Sequence, residues 1–255
     1  MQVSINTAVF LNQIQQGASQ YQCLKQLVGE PLANVEVRGE LFQGDTREVE
    51  LDKIDQLCQK QSWDFYFSIP EELFTNGKLN QTIFDYLKLS ERHHIRGLKI
   101  GLGSFENLDE NSLMKLRTAL RDSEVKVTVE NQPNINGTIN VFKNNLITLL
   151  NKVPELGYTF DSGNWYWVNE RPEEAFLALK KYITVFHLKD IREKATVMLD
   201  NGDTAWKSLV KNLDRTIPIF LEYDIVPDQL ELEMKKVNDE INLKNSLHLK
   251  CNRLQ

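Results

Sequence analysis

Four apolar runs in this sequence each end on a side chain that can bind a metal ion. The run 125–130 closes on Glu130, 157–161 on Asp161, 183–187 on His187 and 218–222 on Glu222. Consecutive members of this set stand 31, 26 and 35 residues apart, about the length of one strand–helix unit in a parallel barrel. Taken singly, each has a plain explanation: a solvated loop carboxylate, or a structural or exposed histidine. At four strand ends in register, they point instead to one divalent cation at the mouth of a barrel.

Alternate side chains of a barrel strand point inward, and the carboxyl ends of the strands surround the mouth. Glu130 then shares its face with Thr128 and Lys126, leaving Val125, Val127 and Val129 on the other. Asp161 pairs with Thr159, with Tyr158 and Phe160 outward, and Glu222 alternates with Leu221 and Tyr223. Three carboxylates buried beside apolar residues need a shared cation or hydrogen bonds, because an unpaired charge is costly to bury. With one imidazole they form an oxygen-rich set that suits a hard ion better than a structural zinc. Mn²⁺ is the first expectation, with Mg²⁺, Co²⁺ and Zn²⁺ as the other ions such a set accepts.

The elements that must position these groups follow from the apolar rhythm. Strands are predicted at 2–6, 34–40, 64–69, 96–101, 125–130, 157–161, 183–187 and 218–222. Helices are predicted at 18–29, 48–61, 79–92, 109–121, 137–152, 172–181, 203–213 and 228–244. Leu113, Leu116 and Leu120 are spaced as one buried stripe of the fourth helix. Pro172 opens the sixth, with Glu173 and Glu174 in its first turn, a favourable helix start. Strict strand–helix alternation predicts a parallel sheet, and eight units predict closure. The expectation is an α/β fold, a (β/α)₈ TIM barrel, forming a single domain over residues 1–255. A doubly wound open sheet is the weaker alternative, since ligands from four successive strands meet most readily around a ring.

With 41% hydrophobic and 26% charged residues, the chain has the composition of a globular protein with an ample core. Its net charge of −6 gives no footprint for nucleic acid. No apolar run approaches the roughly 18 residues of a membrane span, and the polar start, MQVSINTAVF, is not expected to be a signal sequence. Cys23, Cys58 and Cys251 share no ligand spacing and are expected as free thiols in the cytoplasm.

Further candidates line the predicted mouth. Glu36, Arg38 and Glu40 alternate on the second strand and are expected to point inward, where Arg38 orients substrate hydroxyls or joins an internal ion network. Lys99, on the fourth strand, is a candidate for binding a phosphate or polarising a carbonyl. Lys189 and Asp190 follow His187 as neighbouring charges. Trp165, Tyr166 and Trp167 follow Asp161, as an aromatic wall for a sugar or as a packed loop cap. His93 and His94 are expected to cap the third helix and are given no function.

The sequence resembles the xylose-isomerase-like TIM-barrel superfamily, particularly its sugar (phosphate) isomerase/epimerase branch. The resemblance is carried by Val-Thr-Val-Glu-Asn at 127–131, Asp-Ser-Gly-Asn-Trp at 161–165, Val-Phe-His-Leu-Lys-Asp at 185–190 and Phe-Leu-Glu-Tyr at 220–223. Asn-Gly-Asp-Thr-Ala-Trp at 201–206 resembles the turn that follows the histidine strand. Residues 1–120 match only in strand rhythm. The resemblance implies that Glu130, Asp161, His187 and Glu222 bind one divalent metal. It also implies that Glu130 and Glu222 exchange a proton in epimerisation or aldose–ketose isomerisation, through an enediolate. Many members carry a histidine where this chain has Asn164, so a substrate contact or second metal at that position is in question. The apurinic endonuclease branch uses many histidines, whereas this chain has His93, His94, His187 and His248 only.

The expected function is therefore a metal-dependent isomerase or epimerase of a small sugar, ketose or sugar derivative. A metal-dependent dehydratase or lyase on a keto-polyol is the rival within enzymes, and a non-catalytic sugar- or metal-binding barrel is the rival outside them. A small-molecule sugar is the expected partner, with no nucleic acid and no membrane, and a homo-oligomer is left open. Glu36, Arg38, Lys99, Asn164, Trp165 and Lys189 are the expected substrate contacts.

Overall fold

A computed structural model describes residues 2–105 and 107–251, except the side chains of residues 45 and 244–251. The side chains of His248 and Cys251 therefore lie outside the described residues. Eight parallel strands follow the order of the chain: β1 Ser4–Asn6, β2 Asn34–Arg38, β3 Asp64–Thr75, β4 Gly97–Gly103, β5 Lys126–Glu130, β6 Gly157–Asp161, β7 Ile183–Leu188 and β8 Ile219–Leu221. Each pairs with the next, and β8 returns to β1, with Ser4 opposite Phe220. This is a closed (β/α)₈ TIM barrel.

The outward strand residues are apolar because they meet the helices. Val35, Val37, Val127, Val129, Tyr158, Phe160, Phe186 and Leu221 are all buried in this layer. Leu113, Leu116 and Leu120 cover it from the helix Glu110–Asp122, which Asp109 caps by accepting the Ser112 N–H. Residues paired across a parallel ladder share a face, and the inward pairs are polar. Asn6 lies opposite Glu36, Lys99 opposite Thr128, Gly101 opposite Glu130 and Asp161 opposite His187. Below them Tyr66, Val185 and Phe220 form an apolar cluster of their own. Gly97 makes room for it, since a Cβ there would stand 2.3 Å from the Tyr66 ring.

Several elements differ from the sequence expectation. Strand β2 ends at Arg38, and Gly39–Leu41 turns into a 3₁₀ helix, so Glu40 leaves the barrel interior for the rim. Strand β3 runs on past Ile69, shifts register between Ser68 and Glu72, and folds back as an antiparallel hairpin onto Lys78–Leu79. The third helix consequently starts at Thr82. Two short helical segments, Thr7–Phe10 and Leu11–Gln15, precede the one expected from residue 18, which is itself split at Leu24. A second hairpin, Asp190–Arg192 with Ala195–Val197, follows β7. His93 is buried at the C-terminal cap of Thr82–Arg92, beside Glu48. Among the described residues, no helix is long and apolar enough to cross a membrane.

Candidate metal centre

Strand β5 delivers Glu130 to the interior, and Asn131 immediately after it ties the strand ends together. The Asn131 side-chain oxygen accepts the Asp161 N–H and the Tyr158 hydroxyl, both at 2.9 Å, and its amide donates to the Asp161 carbonyl at 3.0 Å. The turn after β6 then closes on Asp161, whose Oδ1 accepts the N–H groups of Gly163 and Asn164 at 2.8 and 3.0 Å. That leaves Oδ2 for the barrel axis. His187 stands beside Asp161 in the ladder, and its ring lies edge-on to Phe220 at 5.7 Å. Glu222 follows β8, its N–H donating to the Leu188 carbonyl at 3.2 Å.

One donor atom from each of Glu130, Asp161, His187 and Glu222 lies within 4.8 Å of the others, and all four residues are buried. His187 Nδ1 is 3.1 Å from Glu130 Oε1 and 2.9 Å from Glu222 Oε2. None of these three atoms makes a hydrogen bond, although Lys189 Nζ stands 3.0 Å from Glu222 Oε2, and the set converges on a common point. Leaving buried polar atoms unpaired costs roughly 1–3 kcal/mol each. A divalent ion fits this donor set, two carboxylate oxygens and a ring nitrogen with Asp161 Oδ2 nearby.

Cations hold the remaining oxygens. Lys99 Nζ donates to Glu130 Oε2 at 2.9 Å, Arg38 to Glu222 Oε1 at 2.5 Å, and Lys189 to Asp161 Oδ2 at 2.6 Å. Burial by itself would raise the Glu130 carboxyl, but Lys99 and His187 outweigh it and hold it at about 2. Burial is likewise overcome at Glu222, which His187, Lys189 and Arg38 keep well below the usual carboxylate range. Asp161 goes the other way, to about 6, because burial and the two glutamates prevail over Lys189. Burial disfavours the His187 cation, but Glu222 and Glu36 overcome it and push the imidazole well above its ordinary value.

The weaker candidates divide. Arg38 sits between Glu222 and Glu40, and Lys99 and Lys189 border the ligand set. Glu36 does point inward, but it is fully buried against His187 Nε2 at 3.3 Å and accepts the Asn6 amide. It thus stands behind the histidine and presents no surface to a substrate. Asn164 gives its amide to the Asn131 carbonyl at 2.9 Å, so it braces the ligand turn. Trp165 corrects the aromatic-wall expectation: it is 0% exposed and packs on Phe142 and Phe160 between barrel and helices. Asp190 accepts the N–H groups of Gly202 and Thr204 at 2.9 and 3.1 Å and so organises the turn after the histidine strand. Asn6 is the residue that sequence reasoning passed over, and Asn131, quoted in the Val-Thr-Val-Glu-Asn motif, was given no role. Each stands at a strand end, and that position was the available signal.

No protein-family model matches the sequence, and no curated protein matches it. Solved structures do match. A D-tagatose 3-epimerase-like protein superposes with a TM-score of 0.70 at 14% identity, over 96% of this chain and 99% of that one. The probable 3-DHS dehydratase AsbF of Bacillus anthracis gives 0.69 at 17%, over 92% and 98%. A xylose isomerase domain protein of Alicyclobacillus acidocaldarius gives 0.64 at 12%, over 96% and 99%. At these identities the likeness establishes the fold alone, a (β/α)₈ barrel.

Proposed function

We propose that this protein is a divalent-metal-dependent isomerase or epimerase of a small sugar, ketose or sugar derivative. The carrying observation is that Glu130 and Glu222 each have one oxygen anchored by a cation and the other turned to His187 Nδ1 without a hydrogen bond, with Lys189 Nζ 3.0 Å from the Glu222 oxygen. Glu130, Asp161, His187 and Glu222 would hold the ion. A bound divalent ion supplies Lewis acidity toward a carbonyl and its neighbouring hydroxyl, which acidifies the carbon-bound proton between them. The two glutamates supply the proton traffic: one takes the proton and the other returns it, with Lys99 and Arg38 fixing the angle of each carboxylate. Ligation and base work draw on the same free oxygens, so the two roles compete. The solved structure named as an epimerase-like protein agrees with this chemistry. The reading takes a small-molecule sugar as partner, without nucleic acid or membrane, in the cytoplasm, and favours Mn²⁺.

A dehydratase on a keto-polyol is the second reading. It is favoured by the ammonium groups of Lys99 and Lys189 beside the glutamates, which are placed to protonate a departing hydroxyl, and by the likeness to a probable dehydratase. The test is a sugar panel with the Mn²⁺-loaded protein in D₂O. An active ketose should acquire deuterium at its α carbon, and Glu130→Gln or Glu222→Gln should slow the exchange at least about 10²-fold. Full exchange in both variants would remove the two-glutamate mechanism. A metal-loaded protein that exchanges nothing across the panel would move weight toward a binding barrel.

A further inference from the structure

We propose that the amino-terminal end of the barrel is a second ligand site, for a short hydroxy acid: a carboxylate and a hydroxyl joined by an apolar body. The inference goes beyond the reaction at the metal centre and does not depend on it.

On the face opposite the metal centre, the starts of β2, β3, β5, β6 and β7 and the approach to β8 surround a cavity of about 950 Å³, a size at which small ligands are held. Tyr66 and Val185, two members of the apolar cluster beneath the metal ligands, form its inner end, and Leu156, Ile183 and Ile217 continue the apolar wall. Tyr66 is 9% exposed, yet its hydroxyl makes no hydrogen bond and is not sealed off from the cavity. Polar groups this deep are as a rule bonded. Packing does not call for the hydroxyl, because the contacts with Gly97 and Phe220 are made by the ring, and a phenylalanine would make them as well. The hydroxyl is left over for a ligand.

The charges around the cavity are divided between its two sides. Asp64, which opens β3, and Glu36 place negative charge beside Tyr66, so an anion is disfavoured next to that hydroxyl. Lys180 and Lys181 precede β7, four strands round a ring of eight from β3 and therefore across the cavity from it. Lys126 starts β5, between the two. Among the described residues these three lysines make no ion pair, and Lys181 stands over the Tyr182 ring at 4.7 Å. The carboxylates on their side are already engaged. Arg117 and Arg121 hold Glu155 at 3.4 and 2.5 Å, and Asp214 accepts the N–H and hydroxyl of Thr216 at 2.9 and 2.6 Å. A ligand carboxylate thus belongs with Lys180 and Lys181, where a charge-assisted hydrogen bond awaits it. A neutral hydroxyl belongs with Tyr66 and Asp64, and hydrocarbon with the wall between.

Titration calorimetry of the Mn²⁺-loaded protein with 6-hydroxyhexanoate, hexanoate and hexanol tests this, since each of the last two lacks one polar end. The hydroxy acid should bind about tenfold or more tightly than hexanol, the scale of a hydrogen bond to a charged group, and several-fold more tightly than hexanoate. Lys180→Gln combined with Lys181→Gln should remove most of the advantage over hexanol. Tyr66→Phe should remove the advantage over hexanoate and leave hexanoate binding as it was. Both variants should keep their Mn²⁺ content, because the substitutions lie at the far end of the barrel. No saturable binding of the hydroxy acid overturns the proposal, and so does an undiminished preference in either variant. Binding that survives the lysine substitutions but is lost when Mn²⁺ is stripped belongs to the metal centre and overturns it too.

Discussion

His187 has two ring nitrogens, and its neighbours assign them different work. Glu36 stands 3.3 Å from Nε2, while Nδ1 faces Glu130 and Glu222. Nε2 makes no hydrogen bond of its own, but the Glu36 carboxylate faces it as an ion pair, and negative charge in that position favours the tautomer with its proton on Nε2 and makes Nδ1 the better donor. Asn6 bridges this arrangement, donating to Glu36 and, at 3.3 Å, to Glu222. Glu36→Ala should therefore lower Mn²⁺ affinity about 10- to 100-fold, although Glu36 is not itself in the converging set. Glu36→Gln, which keeps an acceptor, should lose less. Calorimetry on both variants checks this, and wild-type affinity in Glu36→Ala would remove the role.

At the scale of elements, the loop after β6 carries both a ligand and a packing unit. Asp161 begins it, and Trp165, four residues later, fills the layer beneath it against Phe142 and Phe160. Truncating so large a buried ring leaves a cavity, and Trp165→Ala should cost about 3–5 kcal/mol of unfolding free energy. A shift below about 1 kcal/mol in a denaturant titration would mean that the ring bears little of the packing. The aromatic run 165–167 was ambiguous in sequence because a mouth wall and a loop cap have the same composition. Burial decides between them, and burial is a property of the closed fold. The strands ending at Glu130, Asp161 and His187 were legible because β-branched and aromatic residues alternate there with polar ones. The extension of β3 was not, because Pro70, Glu71 and Glu72 read as a strand stop. Only the register shift and the pairing with Lys78–Leu79 carry the strand across them. The role of Glu36 was half legible: alternation on β2 pointed it inward, but its partner comes from β7, about 150 residues away.

Across the whole molecule, burial shifts several groups in one direction. It pushes the Cys23 thiol up to about 11, Cys58 up to about 12 and the Tyr66 phenol up to about 12. Each folded value lies above the unfolded one, about 8.5 for a thiol and about 10 for a phenol. The stability they contribute is thus complete below the unfolded values and is lost as pH rises toward the folded ones. The urea midpoint should fall steadily between pH 8.5 and 11, and a flat profile there would contradict burial of these groups. Cys23 and Cys58 should resist a maleimide at pH 7.5 until the chain is unfolded, as peptide mapping would show.

The central claim is that Glu130, Asp161, His187 and Glu222 hold one divalent ion. Its most direct test is calorimetric titration of Mn²⁺ into the metal-stripped protein and its His187→Ala and Asp161→Ala variants. The wild type should bind one ion per chain, and both variants should bind it much more weakly, because each loses a ligand. Unchanged affinity in both variants, or no binding by the wild type, would contradict the account.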